Sequence, residues 1–392
     1  MIFVDKKTER LIERTSYYLT VVFLFSIPIS IAISQTALFT AFVLTVFTLF
    51  KKGEIRTLRS PIDAFFLFYV GAEILSTIFA VDKFQSLILA KRLFLIAAFY
   101  LVRAAGKDES DLGTFLSTFI LGVLVMAAVG VYKYYSGLSS GRLAPFQIYM
   151  TAGGILMMAF LMLAPIMIHV ATPLRVRILS VVASIPILLA LLLTFTRSSW
   201  LGALAGLITV GVSKTRIVLV AVVAIVLIFV LIAPPQFIDR ARSSFDLSHP
   251  DNRGRLLMWK TGVAIFLDNP LVGIGDIGVE KVYDKYAPPW QERQGHLHNN
   301  LLMWLVTLGI VGTTALLAFF LKILQTEFLS LRATSSWLSN GLALGAISVF
   351  FGFHVNGLFE WNFGDAEPLT LFFAILGLSV RAKEISERKS AP

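Results

Sequence analysis

The chain alternates long apolar runs with short polar ones, and many of the runs have membrane length. Apolar stretches occupy residues 17–33, 36–50, 61–80, 87–103, 112–132, 149–172, 178–195, 200–213 and 217–233. A polar, proline-interrupted stretch then extends from Pro234 to His298, and three more apolar runs follow at 299–322, 340–359 and 366–380. Runs of roughly 17–25 apolar residues have the length of bilayer-spanning helices. The pattern predicts an all-α polytopic membrane protein with about twelve transmembrane helices and a large helical loop before span ten. Residues 1–233 would hold spans one to nine. Residues 234–298 would form the loop, with amphipathic helices, and 299–392 would hold spans ten to twelve and a tail.

The charges give these spans a direction. Lys and Arg crowd segments 6–14, 51–59, 103–107, 175–177, 214–216, 322–332 and 381–389. The alternate short segments hold only Lys83, Lys133, Arg142 and Arg197. Cytoplasmic loops carry the excess of basic residues, so both termini are expected in the cytoplasm and the 234–298 loop outside. Arg197, the loop and the Glu360–Asp365 turn then share the outer face. No cleavable signal peptide is expected, because the first run starts near Ser16 without an A-x-A-type site.

Composition agrees with this reading. Of 392 residues, 57% are hydrophobic and 15% charged, well below the charged quarter of a soluble domain. There is no Cys, which excludes disulfides, thiolate nucleophiles and Cys-ligated metals. The net charge of +10 falls in short loops between apolar runs, so it marks topology and no nucleic-acid partner is expected.

Three polar clusters carry candidate chemistry. The first is Thr194-Phe195-Thr196-Arg197-Ser198-Ser199-Trp200, with an Arg in a tight outer turn. A guanidinium there grips phosphate oxygens bidentately, or else snorkels to lipid head groups. The second is the loop segment from Asp251 through Arg253 and Arg255 to Phe266, followed by Asp268-Asn269-Pro270-Leu271-Val272-Gly273-Ile274-Gly275. Arg253 and Arg255 would open an amphipathic helix, where backbone N–H groups also favour anions; a solvated interfacial helix is the plainer reading. Gly273 and Gly275 make a weak phosphate loop, with no Walker Lys-Ser/Thr after them.

The third cluster is Gly295-His296-Leu297-His298-Asn299-Asn300. A neutral imidazole can take a proton from a sugar hydroxyl. The pair could instead cap the next helix or bind a metal, but no carboxylate stands at ligand spacing, so no metal is expected. Inside the spans, Lys91 or Arg92 is a candidate to hold a phosphate group, or else to pair with Glu73 or snorkel to the interface. His354, Asn356, Glu360, Asn362 and Asp365 crowd the last outer turn. There Glu360 or Asp365 could orient an imidazole, bind sugar hydroxyls or simply be solvated. His169 reads as structural.

These pieces resemble the O-antigen ligase and O-antigen polymerase superfamily of bacterial membrane glycosyltransferases. The matching segments are "TFTRSSW", "RLLMW…DNPLVGIG" and "HLHNNLLMWLVTLGIVG", which cover residues 190–315 in motif detail. The last fits the ligase pattern of a His, a small polar residue, nine residues and a Gly, here His298, Asn299 and Gly309. The resemblance implies glycan transfer from an undecaprenyl-diphosphate-linked donor to a lipid A–core acceptor at the periplasmic face of the inner membrane. It implies no cofactor and no metal. It carries over Arg197 and Arg255 as diphosphate ligands, with Arg253 a neighbour. His298 carries over as the catalytic base, with His296 as the alternative imidazole. A polymerase using the same donor is the second reading. A lipid-linked glycan flippase or secondary transporter is the reading from another class, weakened by the lack of an inverted repeat.

Overall fold

The computed structural model describes residues 6–139 and 141–390, and its regular elements among these are all helical. The first half comprises α1 (Lys6–Ser26), α2 (Ile31–Lys52), α3 (Asp63–Ile78), α4 (Lys83–Leu89), α5 (Ala97–Ala105), α6 (Glu109–Tyr135), α7 (Tyr149–Ile168) and α8 (Leu174–Leu193). The second half comprises α9 (Arg197–Ser213), α10 (Arg216–Ile232), α11 (Pro235–Arg242), α12 (Pro250–Asp268), α13 (Tyr283–Tyr286), α14 (Asn300–Ala333), α15 (Trp337–Asn356) and α16 (Ala366–Ser390). Every apolar run in the sequence carries helix. Among the described residues, six helices, α2, α6, α7, α8, α14 and α15, are long and apolar enough to cross a membrane. The others are shorter or more polar: α3 has 16 residues, and α9 and α10 have 17 each.

Local chemistry sets several boundaries. Asp108 caps α6 by accepting from the Asp111 N–H at 3.0 Å, and Ser336 caps α15 from the Ser339 N–H at 3.0 Å. Gly53 ends α2 in the left-handed conformation (φ 70°). The first apolar run does not stay helical to residue 33, because α1 ends at Ser26, just before Pro28. The fourth run is not one helix either: α4 passes into a 3-10 stretch, Ala90–Ile96, before α5. That tighter stretch carries Lys91 and Arg92.

Helix α7 lies at the centre, buried over almost its whole length. Small residues bring α9 and α15 close together. A Cβ on Gly202 would stand 2.6 Å from the Gly352 carbonyl oxygen, and one on Gly206 would stand 2.9 Å from the Ser348 carbonyl oxygen. This is the close backbone approach that G-x-x-x-G spacing permits in apolar helices.

Helix α14 is broken at Gly309 (φ 63°, ψ −169°), a conformation that essentially only glycine adopts. The backbone groups freed by the break find partners in the Pro270–Gly275 strip. Ile274 N–H donates to the Val306 carbonyl at 2.9 Å, and Gly275 N–H to the Thr307 carbonyl at 3.0 Å. In return Ile310 N–H donates to the Pro270 carbonyl at 2.8 Å. Irregular backbone within a helical bundle persists only where protein satisfies it. The glycine-rich strip is thus a patch on a broken helix, and its glycines serve close approach. A Cβ on Gly309 would lie 2.3 Å from the Leu271 carbonyl oxygen. Gly309→Ala should therefore destabilise the fold by about 3 kcal/mol or more. Thermal unfolding in detergent checks this; an unchanged melting temperature would contradict it.

Candidate functional site

The Arg197 turn is built by arginines the motif reading passed over. Phe195 has positive φ (50°), and its ring stacks on Phe237 of α11 at 4.7 Å. Arg142 lies 3.6 Å from the Tyr149 ring centroid and donates to the carbonyls of Thr194 (3.0 Å) and Phe195 (2.6 Å). Arg240 donates to the same Phe195 carbonyl at 3.3 Å. The turn aims Arg197, the first residue of α9, at the loop. Its guanidinium is 8% exposed and donates to Ser243 Oγ and Asn252 Oδ1, both at 3.0 Å.

Positive charge outweighs negative here. Asp251 pairs with Arg240 at 2.9 Å and stands 3.9 Å from Arg197. Burial works against the Asp251 carboxylate, but Arg240 and its neighbours hold its pKa below the ordinary value. Arg240, Arg255 and Arg142 all act on Arg197 as like charges. No side chain caps the N-terminus of α9, so its first N–H groups add to the positive field.

Helix α12 starts three residues before Arg253, with His249 as its cap, so Arg253 and Arg255 lie beyond the helix opening where the sequence placed them. Arg253 is exposed and Arg255 half-buried. Arg255 and Trp259 are four residues apart and share a helix face. Trp259 Nε1 donates to the Leu297 carbonyl at 3.0 Å, which ties that face to the residue before His298.

His298 also has positive φ (46°), a strained state for a non-glycine residue that clusters at functional sites. The strain is held by its neighbours. Asn299 caps α14 at the Leu302 N–H (2.9 Å) and donates to the Leu358 carbonyl (3.0 Å). Asn300 N–H donates to the Gly357 carbonyl at 2.7 Å. A buried chain of amides then crosses the site. Asn300 donates to Asn362 at 2.6 Å, Asn362 to Asn356 at 3.5 Å, and Asn356 to Ser199 Oγ at 2.9 Å. Ser199 is two residues from Arg197, so this chain links the arginine turn to the histidine.

His298 Nδ1 lies 2.9 Å from Glu360 Oε1. Glu360 is 6% exposed. Burial would raise its pKa, but the hydrogen bond and charge of His298, with the Trp361 N–H, hold it below the ordinary value. An ionised Glu360 accepts from Nδ1–H, which leaves Nε2 of His298 as the free lone pair. The His296 ring stands edge-on to His298 at 4.2 Å. Burial, then the His298 charge, lower its pKa to about 4, so His296 is neutral at neutral pH.

Of the two acids in the last turn, Glu360 is the one at the imidazole. Asp365 Oδ2 accepts from Thr151 Oγ1 at 2.7 Å. Burial, chiefly, raises its pKa to about 6. A carboxyl raised on folding contributes most below its unfolded pKa of 3.8, and loses that contribution as pH rises through about 6. Between pH 4 and 7, wild type should therefore lose on the order of 2 kcal/mol relative to Asp365→Asn. Melting curves of the two forms across that range test this; parallel curves would contradict it.

Arg92 makes an ion pair with Asp276, and its guanidinium lies 5.4 Å from the Trp361 ring and 5.6 Å from the Phe363 ring. Glu73 is buried beside the same pair. Asp276, from the loop, is thus a partner that no local pattern announced. Lys91 is exposed, in the wall of a cavity of about 770 Å³ that reaches from Ile31, Gln35 and Phe39 of α2 to His296. His354 is packed against aromatic rings, with Phe320 and Phe350 each at 4.5 Å.

Residues 179–317 match a family model described as O-antigen ligase, and over those residues the match supports the O-antigen ligase superfamily. It contains Arg197, Arg255, His296, His298 and Gly309. No curated protein matches the chain.

Proposed function

With residues 179–317 in the O-antigen ligase family, we propose that the chain transfers a glycan from a polyprenyl (undecaprenyl) diphosphate carrier to a lipid A–core sugar. The observation that carries this reading is the His298–Glu360 pair, tied through buried asparagines to the turn that presents Arg197.

Glu360 fixes the imidazole so that Nε2 takes the proton of the acceptor hydroxyl. The acceptor oxygen attacks the anomeric carbon, and the bond from that carbon to the diphosphate oxygen breaks. Charge develops on the departing diphosphate, where Arg197 and Arg255 meet it. Arg253, exposed and turned away from Arg255 around the helix, is a weaker ligand. Energy is stored in the donor, and the reaction uses no metal and no cofactor. Glu360 positions the base; Asp365 supports the turn. The cavity holding Lys91 is lined by Ile31 and Phe39 of α2 and by His296, which suits a lipid-linked substrate arriving from the bilayer.

The membrane arrangement belongs to the same proposal. Twelve spans, divided as 1–233, 234–298 and 299–392, place both termini in the cytoplasm and the site at the periplasmic face of a bacterial inner membrane. The basic bias supports this orientation.

Cells lacking the protein distinguish a ligase from a polymerase. The ligase reading expects carrier-linked polymer that never reaches lipid A. Single repeat units attached to the core would replace it with the polymerase reading.

A further inference from the structure

The sequence gives His296 and His298 no carboxylate at ligand spacing, but the fold supplies one from 62 residues away. One ligand atom each from His296, His298 and Glu360 lie within 4.8 Å of one another. Two of these residues keep unused polar atoms: His296 Nδ1 and Glu360 Oε2 are buried and have no hydrogen-bond partner. Among the described residues, no other group of His, Asp and Glu meets that spacing.

The geometry points to a binding site for a zinc-type divalent ion at His296, His298 and Glu360, one that stops the base from working when it is filled. Two imidazoles and a carboxylate suit Zn²⁺ and its neighbours Co²⁺, Ni²⁺ and Cu²⁺. They do not suit Mg²⁺ or Ca²⁺, which take mostly oxygen ligands. Three protein ligands leave the fourth position of a tetrahedral ion open to water. Ligand distances of about 2.0–2.2 Å would draw the three side chains slightly inward. His296 lines the 770 Å³ cavity, which gives an ion a route in. Bound there, the ion takes the lone pairs of the imidazoles and the Glu360 carboxylate together. The acceptor hydroxyl then has no base.

Metal binding is tested on the purified full chain in detergent, after chelator treatment, by calorimetric titration with Zn²⁺ and by the visible spectrum of added Co²⁺. One ion per chain is expected, with the intense bands of tetrahedral Co²⁺. His296→Gln and Glu360→Gln should each weaken binding at least about tenfold while melting like the wild type without metal. His249→Ala, on the surface of the loop, should bind as wild type does. Undiminished binding by His296→Gln, or no saturable binding by wild type, overturns the site. These readouts need no glycan, so they stand apart from the assignment of the reaction. In a transfer assay, saturating Zn²⁺ should lower the rate at least about tenfold and chelator should restore it. Full transfer with the ion bound would overturn the blocking role.

Discussion

His298→Ala is expected to lower glycan transfer by about 10²–10⁴-fold, the usual worth of a positioned general base. The variant should still fold, because His298 contributes its side chain to the site and α14 is capped by Asn299. Glu360→Gln should lose a comparable amount by a different route. A glutamine cannot carry the charge that holds Nδ1–H, so the imidazole loses its fixed tautomer. The two residues act as one unit, so the double variant should be little worse than either single one. Losses that multiply would show that Glu360 acts independently of His298. The kinetics of four purified proteins decide this.

Arg197→Ala is expected to cost about 10²–10³-fold in kcat, as for loss of one preorganised donor at a developing anion. Arg255→Ala should fall in the same range. Arg197→Lys should recover little of it. The buried guanidinium spans Ser243 and Asn252 with two nitrogens, and an ammonium cannot reproduce that fork. Arg253→Ala, with an exposed side chain, should cost less than tenfold. The comparison of Arg253 with Arg255 is the sharper test, because the two lie only two residues apart on α12. Equal losses would mean that general positive charge, and no directed contact, binds the donor.

Much of the fold was legible because the membrane imposes a simple rule. Apolar length marks helices, and every run from 36–50 to 366–380 carries one. What escaped was irregular backbone. The 3-10 stretch at Lys91 and Arg92 and the break at Gly309 leave no mark in an apolar count, since their freed groups are satisfied by residues far away in the chain. Gly309 itself stood in the motif, but its reason became visible only when Leu271 was found against it.

The site divides along the same line. Arg197 and His298 announce themselves as charged or titratable residues at the edges of apolar runs, and Arg255 as a charge beside Arg253 in the polar loop. Their partners do not. Arg142 and Arg240 read as ordinary loop charges until their hydrogen bonds to the Phe195 carbonyl appear. Asp276 directly follows the Gly273–Gly275 strip and carries no motif of its own, yet it pairs with Arg92. The asparagine chain through Asn300, Asn362 and Asn356 joins three separate segments. Pairings across such distances follow from the packing of helices, which local spacing does not encode.

The most direct test of the central claim is transfer by the purified protein in nanodiscs containing an undecaprenyl-diphosphate glycan and lipid A–core, with excess chelator. Wild type is expected to move the glycan onto lipid A–core, and His298→Ala, folded but deprived of its base, is not. Equal transfer by the two proteins would contradict the account.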